Sequence, residues 1–189
     1  HTRAMRSYPE HWEEMMRWER RRFDVVVNTG ISGDMVGGIN GKFDQRVRRF
    51  SPDVVSINIG MNDCRHGEKG LPVFKKGLTE AIGKVRSLGA VPVLQVPSLT
   101  DNDEGGTGRN LARYAEIVRE VAEKEKVLLV DHEAHWKKFA DTPEKRKSWM
   151  NDGIHPNGLG HQEMFKKMAY DLGLLLDGRF TGKMGDKTL

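Results

Sequence analysis

Four times along this chain a short apolar run gives way to a longer segment of helical period, and that alternation constrains the fold more than any other feature. The apolar runs are "FDVVVN" (23–28), "DVVSINIG" (53–60), "VPVLQVP" (91–97) and "VLLVDHEA" (127–134). Each is too short for a buried helix and is rich in the β-branched and aliphatic residues that suit a pleated surface. The segments between and around them, 8–22, 35–50, 71–89, 108–126 and 158–176, carry apolar residues at helical spacing. Strands without polar alternation are covered on both faces, and helices between them supply right-handed crossovers. The pattern predicts an α/β fold, a three-layer α/β/α sandwich around an open parallel sheet. It also predicts a single domain over 1–176, followed by a polar, glycine-rich tail over 177–189.

Several function classes are disfavoured at once. No apolar run approaches the ~18 residues of a membrane-spanning helix, so no membrane partner is expected. The net charge is +4, and the one dense basic cluster, "RWERRRF" (17–23), comes without a recognised nucleic-acid-binding module. No nucleic-acid partner is expected either. A single cysteine, Cys64, excludes an internal disulfide and a four-cysteine zinc site.

In an open parallel sheet, sites lie beyond the carboxyl ends of the strands. The loops to search are therefore "NTGISGDM" (28–35), "GMNDCRHG" (60–67), "PSLTDNDEGG" (97–106) and the segment "NDGIHPNGLGH" (151–161) before the last helix. Each has a plain structural reading. "GISGD" can be a tight turn with Asp34 as a helix N-cap, and it lacks the closing Gly-Lys-Ser/Thr of a phosphate loop. "GMND" can be a turn held by Asn62 or Asp63, and Asn157 can cap the final helix. The acid Asp152 stands three residues before His155, close enough for one to orient the other. In "DHEAH" (131–135), His132, Glu133 and His135 read as a surface helix start rather than a metal site, because the spacing is not His-Glu-x-x-His. His161 reads as a packing or solvated residue of the last helix.

Taken together, Gly-x-Ser-Gly-Asp after one strand, Gly-x-Asn-Asp after the next and Asp-x-x-His-Pro before the last helix resemble the SGNH hydrolases, the GDSL-like esterase and lipase superfamily. The resemblance spans 1–176. It implies a flavodoxin-like fold, an ester-hydrolysing activity without a cofactor, and four site residues. His155 would be the general base and Asp152 its acid partner, while the Gly33 backbone N–H and the Asn62 side chain would form the oxyanion hole.

The family's first block, Gly-Asp-Ser, is absent from 1–189, and none of Ser7, Ser32, Ser51, Ser56, Ser87, Ser98 and Ser148 stands in such a block. The expectation is that the nucleophile and the first strand lie a short way upstream of His1. The strand would belong between "FDVVVN" and "DVVSINIG". Modest loops and the polar segment 99–109 point to short-chain or carbohydrate acetyl esters, and Trp136 and Trp149 read either as sugar-stacking or as packing residues. Two other readings stay open. One is an esterase-like binding module that keeps Gly33, Asn62 and His155 without a serine. The other is a metal-assisted hydrolase using Asp63, His66, Asp152 and His155.

Overall fold

The computed structural model describes residues 6–18, 24–100, 107–173, 175–176 and 179–180. The helices are α1 (Tyr8–Trp18), α2 (Val36–Gly41), α3 (Phe43–Arg46), α4 (Gly67–Arg86), α5 (Thr107–Glu125), α6 (His132–Phe139), α7 (Pro143–Ser148) and α8 (Gly158–Asp171). The strands are β1 (Val54–Asn58), β2 (Val91–Val96), β3 (Leu128–Asp131) and the two-residue pair β4 (Leu175–Leu176) and β5 (Arg179–Phe180). The chain divides into two compact units, one built from 29–133 and the other from 1–28 and 134–189.

The unit 29–133 holds a parallel sheet of order β1-β2-β3. The register Ile57↔Leu94↔Leu129 puts these three residues on one face. There Val55, Ile57, Leu94, Val96 and Leu129 join a core with Val36, Phe74, Leu78, Ile82, Val85, Val118 and Val121. Helix α4 reaches that core with Phe74, Gly77, Leu78, Ala81, Ile82 and Val85, a stripe at the spacing the sequence predicts. The opposite face of β2 carries Val93 and Gln95, also buried, so the central strand is covered on both sides. Pro92 is tolerated in this central strand for a geometric reason. The Val91 N–H bonds Asp53 O at 2.8 Å on the β1 side. Residue 92 therefore turns its nitrogen toward β3, whose ladder begins only at Val93.

The strand expected over 23–28 does not form within the described residues: 24–30 carry no strand, and Val25 is 79% exposed. An apolar run becomes a strand only where a neighbouring backbone completes its ladder, and among the described residues β1 pairs with β2 alone. The helix expected over 35–50 is broken into α2, α3 and a 3-10 turn at Arg48–Phe50, as a glycine-rich start with Gly37, Gly38 and Gly41 would favour. Helix α4 begins at Gly67 rather than Leu71, extended back by the 3-10 turn Asp63–His66. It ends at Arg86 with Ser87 as C-cap, three residues short of the expected end, and Gly89 stands beyond the cap at φ +76°.

In the other unit, α1 and α8 share Met15, Met16, Phe165 and Ala169, flanked by Tyr8, Trp12 and Leu172. Glu10 reaches back to the Ser7 backbone N–H at 2.6 Å, half of a capping box that fixes the start of α1. His161 is half-buried against Tyr8, ring centroids 6.2 Å apart, and burial pushes its imidazole pKa down. Trp136 is fully buried and meets Trp149 edge-on at 5.2 Å. No helix among the described residues is long and apolar enough to cross a membrane. Of the tail 177–189, only Arg179–Phe180 falls within the described residues.

Candidate active site

Residues 31–34 form a tight turn closed by the Asp34 N–H on Ile31 O at 3.2 Å. Gly33 is its third residue, at φ +77°, a conformation that costs an L side chain and suits glycine. The Gly33 amide takes no part in closing the turn, and the residue is exposed. Asp34 does not cap α2 as expected. The N-cap is Met35, without a side-chain bond. The Asp34 carboxylate instead accepts the Met35 N–H at 3.0 Å and pairs with Arg46.

The carboxyl end of β1 runs through Ile59 and Gly60 into Asn62 and Asp63. The Asn62 Nδ2 donates to the Asp34 carbonyl at 3.1 Å, which uses one of its two hydrogens. The buried Asp63 accepts the Val36 N–H at 3.0 Å, and burial raises its carboxyl pKa. Consecutive side chains of one loop thus stitch it to both ends of Asp34–Val36. Asn62 is bonded to the residue that follows Gly33, within the unit 29–133. Asp63 was legible in the sequence only as a turn or metal residue. Its acceptor role depends on the first amides of α2, which sequence spacing does not locate.

Asp152 and His155 form the second pair. Asp152 Oδ1 accepts the backbone N–H groups of Ile154 and His155, each at 2.8 Å. The His155 Nδ1 lies 2.8 Å from Asp152 Oδ2 and 3.1 Å from Oδ1. The His155 and Ile154 amides, then the His155 ring, hold the Asp152 carboxyl at about 2. An ionised carboxylate only accepts, so Nδ1 carries the proton and Nε2 is the basic nitrogen. Both side chains are solvent-exposed.

A clasp holds their loop. Met150 bridges Pro156, the Asn151 N–H meets His155 O at 2.8 Å, and the Asn157 N–H meets Trp149 O at 2.9 Å. Asn157 also caps α8 as expected, accepting from Leu159 and Gly160 at 2.9 and 3.1 Å.

Other sequence expectations change. Of the two readings of Trp136 and Trp149, packing holds: they are buried edge-on against each other and present no face to a sugar. "DHEAH" does start a helix, but not on the surface. His132 is fully buried with Nε2 2.7 Å from Gln95 Oε1, and Glu133 pairs with Arg119 at 2.5 Å. His135 turns to Glu163 at 3.1 Å. Among the described residues, no group of three or more His, Cys, Asp or Glu is arranged to hold a metal ion. Most of the polar segment 99–109 lies outside the described residues.

Comparison with known proteins agrees with this architecture. An acetylxylan esterase of Geobacillus stearothermophilus is 29% identical over 160 residues, 78% of this chain and 72% of that protein. An arylesterase of Vibrio mimicus is 28% identical over 136 residues, 70% of this chain and 62% of that one. The crystal structure of Axe2, an acetylxylan esterase from Geobacillus stearothermophilus, superposes with a TM-score of 0.75 at 23% identity, covering 89% of this chain and 81% of the other. The model of the GDSL-like lipase/acylhydrolase family matches residues 2–163. With a match over most of its length, the chain belongs to the GDSL-like lipase/acylhydrolase family, a family of ester hydrolases.

Proposed function

We propose that this protein is a serine esterase acting on short-chain esters, carbohydrate acetyl esters in particular. The observation that carries the reading is the Asp152–His155 pair, with Nδ1 on an ionised carboxylate and Nε2 left for proton transfer. In the proposed reaction His155 Nε2 takes the proton of a serine hydroxyl as its oxygen attacks the ester carbonyl. The Gly33 N–H and the remaining Asn62 Nδ2 hydrogen stabilise the oxyanion. On collapse, the C–O bond to the alcohol breaks and His155 returns the proton to the leaving oxygen. Water then repeats the sequence on the acyl-enzyme and releases the acid. The serine belongs to a Gly-Asp-Ser block that we place upstream of His1. The acetylxylan esterase relative supports a carbohydrate acetyl substrate.

The absence of Gly-Asp-Ser from 1–189 favours a second reading, an esterase-like binding module. Hydrolysis of p-nitrophenyl acetate by the full-length gene product separates the two. His155→Ala is expected to lower kcat by about 10⁶-fold. Equal rates for the variant and the parent would remove His155 from the mechanism, and no hydrolysis by either would favour the binding module.

A further inference from the structure

The turn that presents Gly33 has little apolar anchorage. Ile31 is 54% exposed, Ser32 and Gly33 are exposed, and the first core side chain after them is Val36. Polar contacts must therefore fix it. Arg46 supplies two of them. Its Nη1 pairs with Asp34 Oδ2, and its Nη2 donates to the Thr29 carbonyl at 2.8 Å. Thr29 and Asp34 bracket the turn, so one planar guanidinium spans its mouth. Arg46 and Asp34 are 14% and 16% exposed, and so only weakly screened. Arg46 itself sits on α3, which Phe43 anchors in the core.

We propose that Arg46, acting through Asp34, is the positioning residue of the oxyanion hole. Asp34 is the shared point of three constraints. Its carboxylate is held by Arg46 and by the Met35 N–H, its own N–H closes the Gly33 turn, and its carbonyl holds the Asn62 amide. A movement of Asp34 therefore displaces both oxyanion donors together. The Asp34 carboxylate lies directly against Gly38, where a Cβ would collide with it. Lysine cannot replace Arg46, because a point charge on a flexible stem does not bridge two fixed acceptors.

The proposal rests on the esterase reading, and its test separates the two. With p-nitrophenyl acetate and the full-length protein, Arg46→Ala is expected to lower kcat by about 10²-fold while KM stays within about twofold. Arg46→Lys should recover only part of the loss. Added millimolar guanidinium should partly restore Arg46→Ala and leave His155→Ala unchanged, a response that a merely structural arginine would not give. Should Arg46→Ala fail to fold, Asp34→Asn replaces it. That variant keeps the side-chain volume and an acceptor for Met35, and is expected to lose about 10-fold in kcat. A kcat within about twofold of the parent in the variant that folds overturns the proposal. If the parent hydrolyses no ester, the esterase reading fails by itself, and amide hydrogen exchange decides the clamp. Faster exchange over 29–36 in the variant supports it, and unchanged exchange overturns it.

Discussion

Helix α4 contains two glycines that look equivalent in sequence and differ sharply in surroundings, and alanine at each separates backbone from packing effects. Around Gly83 a new Cβ would meet nothing within 4 Å. At Gly77 the new Cβ would stand 2.7 and 2.9 Å from the two Cγ atoms of Val36. Both positions lie inside the same helix, so alanine gains the same roughly 0.5–1 kcal/mol of backbone preference at each. At Gly77 that gain is opposed by overpacking, typically about 1–3 kcal/mol. Val36 cannot relieve the overlap cheaply. Its branched side chain has few rotamers, it is 4% exposed, and its N–H is tied to Asp63 at 3.0 Å. Gly83→Ala should therefore stabilise by about 0.5–1 kcal/mol, and Gly77→Ala should lie about 1–3 kcal/mol below it. For a chain of this size, each kcal/mol moves Tm by about 2–4 °C. Urea unfolding and thermal melts of the two variants measure the difference directly. Equal shifts of the same sign would refute the argument that Val36 is wedged against the Gly77 backbone.

Two more predictions concern the polar network of the other unit. Asp152→Asn keeps the volume but removes the charge that fixes the His155 tautomer. It should lower kcat with p-nitrophenyl acetate by about 10⁴-fold, and a loss expressed mainly in KM would contradict the assigned role. Glu163 is held at about 2 by the His135 ring and Lys166, below its ordinary 4.5. A depressed carboxyl contributes stability that is complete above about 4.5 and disappears as pH falls through about 2. Glu163→Gln should therefore shift the urea midpoint downward at pH 7 and progressively less as the pH is lowered toward 2. A shift that is constant over that range would sink the assignment.

The strand-helix alternation made the fold class legible because parallel strands buried on both faces leave an unbroken apolar signature. The same signature misled at 23–28. Composition reports that a strand would be comfortable there but not whether a neighbouring backbone completes it. Asp152 and His155 were legible because both lie on one short loop, where sequence distance and spatial distance coincide. Gly33 and Asn62 needed a family pattern. Arg46 was missed because its partners, Thr29 and Asp34, are 17 and 12 residues away, and nothing in "FDQRV" separates a clamp from a solvated helix end. His132 was misplaced for the complementary reason. A polar residue reads as exposed unless its buried partner is known, and Gln95 is 37 positions away.

The loop carrying Asp152 and His155 has a consequence of its own. The acid and base lie three residues apart, linked by ring and backbone bonds and closed beneath by Asn151 and Asn157. Their mutual geometry is thus written into a stretch of a dozen residues and travels with it as a cassette. Because those bonds are all local, motion elsewhere in the protein is expected to leave the imidazole's tautomer and tilt unchanged. In the proposed mechanism, what such motion would alter is a single distance, that from Nε2 to the serine hydroxyl. Grafting the segment into a different loop should carry the oriented imidazole along with it.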